Sequence, residues 1–200
     1  MTEQTGGRRV VTNMNLSLDG HYAAPDDPLD MGWVMPYAVT DVARDHLTSL
    51  WEPATTALLG RINAEGFLGF WPTVIGMEGA DPRDEGFAKW LVDTDKVVLS
   101  PTLDEPPWER TTIMNKPTAE VVAELRATDG GDILVLSSAS VIKALLAADQ
   151  VDRLAITIFP VFLGGGPRLF DDGLPAARWA LTSQAAGEHG TLALVYDRVP

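Results

Sequence analysis

ILVLSSASVI, residues 133–142, is the stretch whose reading decides the architecture. Ile133 to Leu136 is an unbroken apolar run, the pattern of a short strand buried on both faces in a parallel sheet. Four small residues follow, Ser137, Ser138, Ala139 and Ser140. Then Val141, Ile142, Leu145 and Leu146 recur at helical spacing, with Ser140 as the expected cap. Strand, small-residue turn and helix make half of a βαβ unit. The turn sits at the carboxyl end of the strand, where open α/β sheets hold nucleotides. A plain serine-rich helix cap has the same appearance.

Reading outward from this stretch, strand and helix patterns alternate. Towards the amino terminus, Thr118 is expected to cap a helix with Ala119, Val122 and Leu125 inward. Thr111 to Met114 and Lys96 to Leu99 read as strands, Phe87 to Val92 and Ile62 to Phe70 as helices. Ala57 to Leu59 is a strand running into Gly60-Arg61, Thr40 to Leu50 a helix, and residues 21–39 a long loop. Arg9 to Leu18 opens the fold as a strand that turns at Asp19-Gly20. Towards the carboxyl terminus, Arg153 to Phe159 is a strand followed by a glycine-rich loop. Trp179 to Gln184 and Thr191 to Val199 are two strands joined by a turn at Gly187 to Gly190, a hairpin signal. The alternation predicts an α/β three-layer sandwich whose central sheet is mainly parallel and ends in an antiparallel hairpin. No repeat or composition shift divides the chain. One domain is expected over residues 9–200, with the polar residues 1–8 as a flexible tail.

Composition narrows the partners. The 200 residues carry a net charge of −13, and 46% are hydrophobic. That is the make-up of a folded domain whose field repels nucleic-acid backbones and anionic membranes. No apolar run approaches the roughly 20 residues that span a bilayer, and the first residues lack a signal core. There is no cysteine, which removes disulfides and thiolate chemistry and suits a reducing cytoplasm. A polyanionic cofactor would need backbone N–H groups and a few placed cations to hold it against this charge.

Three segments offer such features. Gly60-Arg61 stands where a strand turns directly into a helix, so free N–H groups, the helix dipole and a guanidinium coincide; a surface arginine is the alternative. Ser137 to Ser140 is the second. Leu163-Gly164-Gly165-Gly166-Pro167 is the third, but no Gly-Lys-Ser/Thr follows, so it is a turned or mobile loop, or a connector, and not a Walker loop. The acid–base inventory is thin. His21, His46 and His189 are scattered and show no metal-ligand spacing, and there is no Gly-x-Ser-x-Gly elbow. A chemistry in which a cofactor does the difficult step fits better. Trp33, in the early loop, is placed to lie beside a flat substrate.

At this point the sequence resembles a known family. Ser17-Leu18-Asp19-Gly20, Leu59-Gly60-Arg61, Val98-Leu99-Ser100, Ile133 to Ser140, Val151-Asp152-Arg153-Leu154, Phe159 to Gly164 and Leu169-Phe170 occur in the order seen in the dihydrofolate-reductase-like superfamily. The nearest branch is the reductase domain of riboflavin biosynthesis, the RibD C-terminal domain. The match runs from about Val10 to Val199. The resemblance implies NADPH bound by Gly60, Arg61, Ile62 and Asn63 on the adenosine-side phosphates and by Leu99 and Ser100 near the adenosine. It implies that Ser137, Ser138, Ala139, Ser140, Val141 and Ile142 hold the pyrophosphate on a helix N-terminus. The strand Asn13 to Leu18, with Asn15, and the strand residue Thr157 would flank the nicotinamide and substrate, and a homodimer is implied; Trp33 and Gly164 are further substrate-side candidates. Relatives usually have threonine at Asn63 and glycine at Ser137; the first changes the kind of phosphate contact, and the second adds a Cβ that narrows the cleft.

The reading that follows is an NADPH-dependent reductase passing a hydride to a pterin, pyrimidine or similar flat heterocycle. Asp19 is the candidate proton donor, with a turn residue as its other reading. A nucleotide-binding module without catalysis, and a scaffold that works through its interface, are the competing readings.

Overall fold

A computed structural model describes residues 7–27 and 30–200. Of the tail expected over 1–8, residues 1–6 lie outside the described residues, as do positions 28 and 29 of the early loop. The elements are β1 (Val10–Ser17), α1 (Met35–Ala38), α2 (Asp41–Trp51), β2 (Ala54–Gly60), α3 (Arg61–Phe70), α4 (Pro82–Asp93), β3 (Asp95–Leu99), β4 (Thr111–Met114), α5 (Thr118–Arg126), β5 (Asp132–Leu136), α6 (Ala139–Ala147), β6 (Arg153–Phe159), β7 (Arg178–Ala186) and β8 (Leu192–Val199). They form one eight-stranded sheet of order β4-β3-β2-β5-β1-β6-β8-β7. β1 to β6 are mutually parallel, and β8 runs antiparallel to both β6 and β7. The expected sandwich with its closing hairpin is what the chain adopts.

Every residue of β5 is buried, and each such Leu, Ile or Val side chain stabilises the fold by roughly 1.5–3 kcal/mol. Alternation along β1 sends Val10, Met14 and Leu16 to a layer completed by α5 and α6. Val11 goes to the opposite layer, under α2, α3 and α4. That second layer also receives Asn13 and Asn15, two and four residues on from Val11, because successive side chains alternate faces.

Several local expectations need correction. Arg8, assigned to the tail, is buried, and its guanidinium donates to Gly131 O, Thr128 Oγ1, Thr55 Oγ1 and Thr56 Oγ1. It ties the entry of β1 to β2 and β5, so the folded domain includes it. Thr118 is the first residue of α5, with Pro117 in the cap position, and the buried face is Val121 and Val122 rather than Ala119. Likewise Ser138, and not Ser140, occupies the cap of α6. α4 begins five residues earlier than its apolar pattern because Asp81 caps it, accepting from Arg83 N. Its far end is closed by buried Lys96, whose Nζ donates to Leu91 O, Val92 O and Thr94 O. The early loop contains the short α1.

Candidate functional site

The candidate residues lie along one edge of the sheet, the carboxyl ends of β3, β2, β5, β1 and β6, which are consecutive neighbours. On the β3-β2-β5 side, Gly60 pairs with Leu99 in the ladder. The two strand-to-helix junctions meet here. Gly60 N donates to Ser138 Oγ at 2.9 Å, and Asn63 Nδ2 donates to Ser137 O at 3.0 Å. A Cβ on Gly60 would meet Val141 Cγ2 at 3.6 Å and Ser140 Oγ at 3.8 Å, so the first turn of α6 lies against Gly60. Ile142 N closes that turn on Ser138 O. The amides of Ala139, Ser140 and Val141 therefore have no partner inside the helix, and they form the positive end of its dipole. Ser137 holds φ +45°, a left-handed conformation that explains why glycine suits this position.

On the β1-β6 side, Asn15 is directly opposite Thr157. Thr157 is buried, Asn15 half-buried. Two residues beyond Thr157, on the same face, Phe159 stacks with Tyr37 (5.3 Å, 21°) and meets Trp33 edge-on (6.0 Å). The loop from residue 30 thus folds an aromatic corner over the end of β6. Buried polar atoms in this layer with no hydrogen-bond partner among the described residues include Asn13 Oδ1, Trp33 Nε1, His46 Nε2 and Trp51 Nε1. His46 is only 7% exposed, and burial pushes its imidazole down to about 4; at neutral pH it is uncharged.

The family model of the RibD C-terminal domain matches residues 8–193. The chain belongs to the RibD C-terminal domain family. Its fold is shared with a Shewanella sp. PV-4 protein assigned to riboflavin biosynthesis (TM-score 0.71, 22% identity, covering 96% of this chain and 99% of that one). It is shared too with a pyrimidine reductase-like protein from Corynebacterium diphtheriae (TM-score 0.64, 15% identity, 96% and 92% covered). A Thermotoga maritima diaminohydroxyphosphoribosylaminopyrimidine deaminase/5-amino-6-(5-phosphoribosylamino)uracil reductase matches at TM-score 0.65 and 13% identity, with 96% of this chain covering 57% of that one. No curated protein matches the sequence.

Within this RibD-type site, several residues do something other than expected. Asp19 is not placed to give a proton. Its carboxylate accepts from Ser17 Oγ (2.6 Å), Gly164 N (2.8 Å) and Leu163 N (3.2 Å). These bonds, that of Ser17 foremost, hold it down at about 2, so it is ionised at neutral pH. Its work is to clamp the glycine-rich loop to the turn after β1. His21 adds to the clamp through Nδ1 and Gly166 O at 2.7 Å. A Cβ on Gly166, at φ +101°, would lie 2.3 Å from Ala23 O. The loop is therefore tightly stitched, and Gly164 is an exposed part of it.

Ser138 is 1% exposed, and its hydroxyl both donates to Leu136 O and accepts from Gly60 N. Its side chain braces the junction. Ile142 is fully buried with its amide engaged, so it supports the turn and offers no contact. Ser100 is buried, its Oγ accepting from Thr102 N and Leu103 N. Arg61 and Ile62 are exposed, and Arg61 is paired with Glu65 one turn on, at 2.7 Å. The sequence reading missed Tyr37, Phe159 and His46, while Asn13 lies in the strand expected to form the platform for the nicotinamide. The only signal for Tyr37 was its spacing four residues after Trp33.

A hollow of about 220 Å³ lined by Leu146, Leu154, Phe170, Leu174 and Trp179 lies elsewhere, towards the start of β6 on the α5–α6 layer. Among the described residues no helix is long and apolar enough to cross a membrane.

Proposed function

We propose that the protein is an NADPH-dependent reductase of the cytoplasm that transfers a hydride to a C=N or C=O bond of a small flat heterocycle, a pterin, pyrimidine or relative. One observation carries this reading. The two small-residue junctions meet, so the unpaired amides of Ala139, Ser140 and Val141 open beside Gly60 on the same sheet edge as the Asn15–Thr157 pair. Backbone donors at a helix N-terminus suit a pyrophosphate in a molecule of charge −13, where side-chain cations are scarce. When bound there, NADPH supplies the hydride.

The chain's own residues do the rest. Ser138 and Asn63 fix the separation of the two junctions, Arg61 lies one residue from Gly60 for a phosphate, and Asn15 and Thr157 form a polar floor. Trp33, Tyr37 and Phe159 wall that floor and exclude water, which hydride transfer needs. Membership of the RibD C-terminal domain family and the reductase names of two structural relatives support the reading.

The test is a titration with NADPH followed by protein fluorescence and thermal shift, then oxidation of NADPH at 340 nm with dihydrofolate and with 5-amino-6-(5-phosphoribosylamino)uracil. Saturable binding and turnover are expected. No response at millimolar NADPH removes the reductase. A second reading, a nucleotide-binding module without catalysis, is favoured by the ionised state of Asp19, which leaves the reaction without that proton donor. It expects binding with no turnover on either substrate.

A further inference from the structure

The hollow at the start of β6 is walled by Leu146 of α6, by Val151, Leu154 and Leu174, and by the rings of Phe170 and Trp179. Close packing is the rule inside proteins, so a gap of about 220 Å³ among such side chains is room for an apolar group. It is smaller than the roughly 300–1,000 Å³ of drug-sized sites and suits a molecule of one ring. One side is closed by residues 170–177, which form neither helix nor strand. None of the residues that line it is assigned to cofactor or substrate.

The mouth of the hollow selects the charge of the occupant. It lies at the carboxyl end of α6, the negative end of the helix dipole, whereas the free amides of Ala139, Ser140 and Val141 stand at the positive end. Asp149 closes the turn after α6 at φ +51°, its N–H donating to Leu146 O. Glycine or asparagine is usual in that place, and a carboxylate there adds to the negative end of the dipole. Asp149 and Asp171 both line the hollow. Arg198 matches the first, and Lys143 matches the second through Oδ2. Among the described residues Asp171 Oδ1 accepts no hydrogen bond and Asp172, next along the chain, has no ion pair, so a negative balance remains. The Trp179 ring already holds the guanidinium of Arg198 at 6.0 Å, and indole is the side chain that takes cations best.

We propose that this hollow is a second binding site, for a small aromatic amine. The ring of the amine lies between Trp179 and Phe170 against the aliphatic wall, and its ammonium donates to Asp171 at the mouth. The site stands apart from the sheet edge that carries Gly60 and Thr157, and it does not rest on the reductase reading.

Calorimetric titration of the full chain with phenethylamine tests it, with hydrocinnamate, a similar molecule of opposite charge, as the comparison. Saturable binding of the amine at about 1 mM is expected for a ligand of this size, and binding of the carboxylate at least about tenfold weaker. In proton–nitrogen correlation spectra the indole N–H signal of Trp179, identified by its loss in Trp179→Phe, should move with the amine. Ala177→Trp, at an exposed position on the rim, fills the hollow and abolishes binding. Asp171→Asn weakens the amine at least about fivefold and leaves hydrocinnamate no weaker, both variants keeping the native circular dichroism. The proposal is overturned by no saturation at about 10 mM amine, by equal affinity for the two probes, or by undiminished affinity in both variants. A chain that takes the amine without binding NADPH upholds the hollow while removing the reductase.

Discussion

The two halves of the candidate site treat their polar atoms in opposite ways. Around β2 and β5 they are engaged with one another, Gly60 N with Ser138 Oγ, Ser138 Oγ with Leu136 O, and Asn63 Nδ2 with Ser137 O. Around β1 and β6, Asn13 Oδ1 and Trp33 Nε1 are buried without partners, as is His46 Nε2 in α2, which packs on β1. A buried unpaired polar atom is uncommon in a folded protein and asks for an occupant. The difference separates a braced cradle, which offers backbone donors at fixed spacing, from a receptive floor that something else must complete. Changes in the first half should therefore act on stability and cofactor affinity together. Changes in the second should act through burial and substrate.

The largest effect expected on this division belongs to the receptive half and is read by pH. His46 has its imidazole pushed down to about 4 by burial, against about 6.5 in an unfolded chain. Between those values the unfolded state holds a proton that the folded state refuses, so stability falls as pH drops from 6.5 to 4. The loss reaches about 3 kcal/mol at the lower end. Asp19, held at about 2, contributes stability throughout this window and loses it only below, as pH falls through its folded value. Urea unfolding at pH 7, 5.5 and 4.5 should show the decline, and His46→Gln should flatten it. A native protein equally stable at pH 7 and 4.5 would contradict the burial argument.

Next in size is the brace. Ser138→Ala removes an acceptor from Gly60 N and a donor to Leu136 O. Leaving such groups unpaired costs about 1–3 kcal/mol, so the melting temperature should fall by several degrees and NADPH should bind more weakly in the same variant. A stable variant with unaltered affinity would mean that the cradle does not depend on this hydroxyl.

The same contrast explains what could be read in advance. The cradle is made of backbone, and backbone demands show in residue type. Gly60, the small run Ser137 to Ser140 and the apolar Ile133 to Leu136 gave away the junctions and the sheet. Their meeting was not legible, because β2 and β5 become neighbours only through strand pairing across 78 residues. The receptive half is assembled from β1, the loop around Trp33 and Tyr37, and β6, segments with no shared local pattern. The role of Asp19 stayed open between proton donor and turn residue for a related reason. Its partners Leu163 and Gly164 lie about 145 residues away, and no local rule tells a clamped carboxylate from a free one. The caps slipped by one or two residues, at Pro117 and Ser138, because serine and threonine suit both a cap and a first turn.

A smaller effect sharpens the account of the cradle. Ser137 sits at φ +45°, which costs a residue with a Cβ roughly 1–2 kcal/mol relative to glycine. Ser137→Gly should therefore stabilise the protein by about 1 kcal/mol in thermal unfolding. It should also tighten NADPH binding by widening the cleft. A gain in stability without a gain in affinity would show that the serine side chain does not face the cofactor.

The smallest effect concerns the one cation at the junction. Arg61 is paired with Glu65 at 2.7 Å, both side chains more than two-fifths exposed, and exposed pairs four residues apart on a helix contribute only about 0.3–0.5 kcal/mol. Such a pair is weak enough for a phosphate to replace, yet its carboxylate remains beside any phosphate that Arg61 reaches. Glu65→Gln removes that competitor and one negative charge while keeping the length of the side chain. The dissociation constant of NADPH should then fall by about twofold at low salt, with no measurable change in melting temperature. The gain should disappear in half-molar sodium chloride, where charges separated by a few ångströms of water are screened. If the affinity does not move at low salt, Arg61 points away from the cofactor, and the cradle works through the amides of α6 alone.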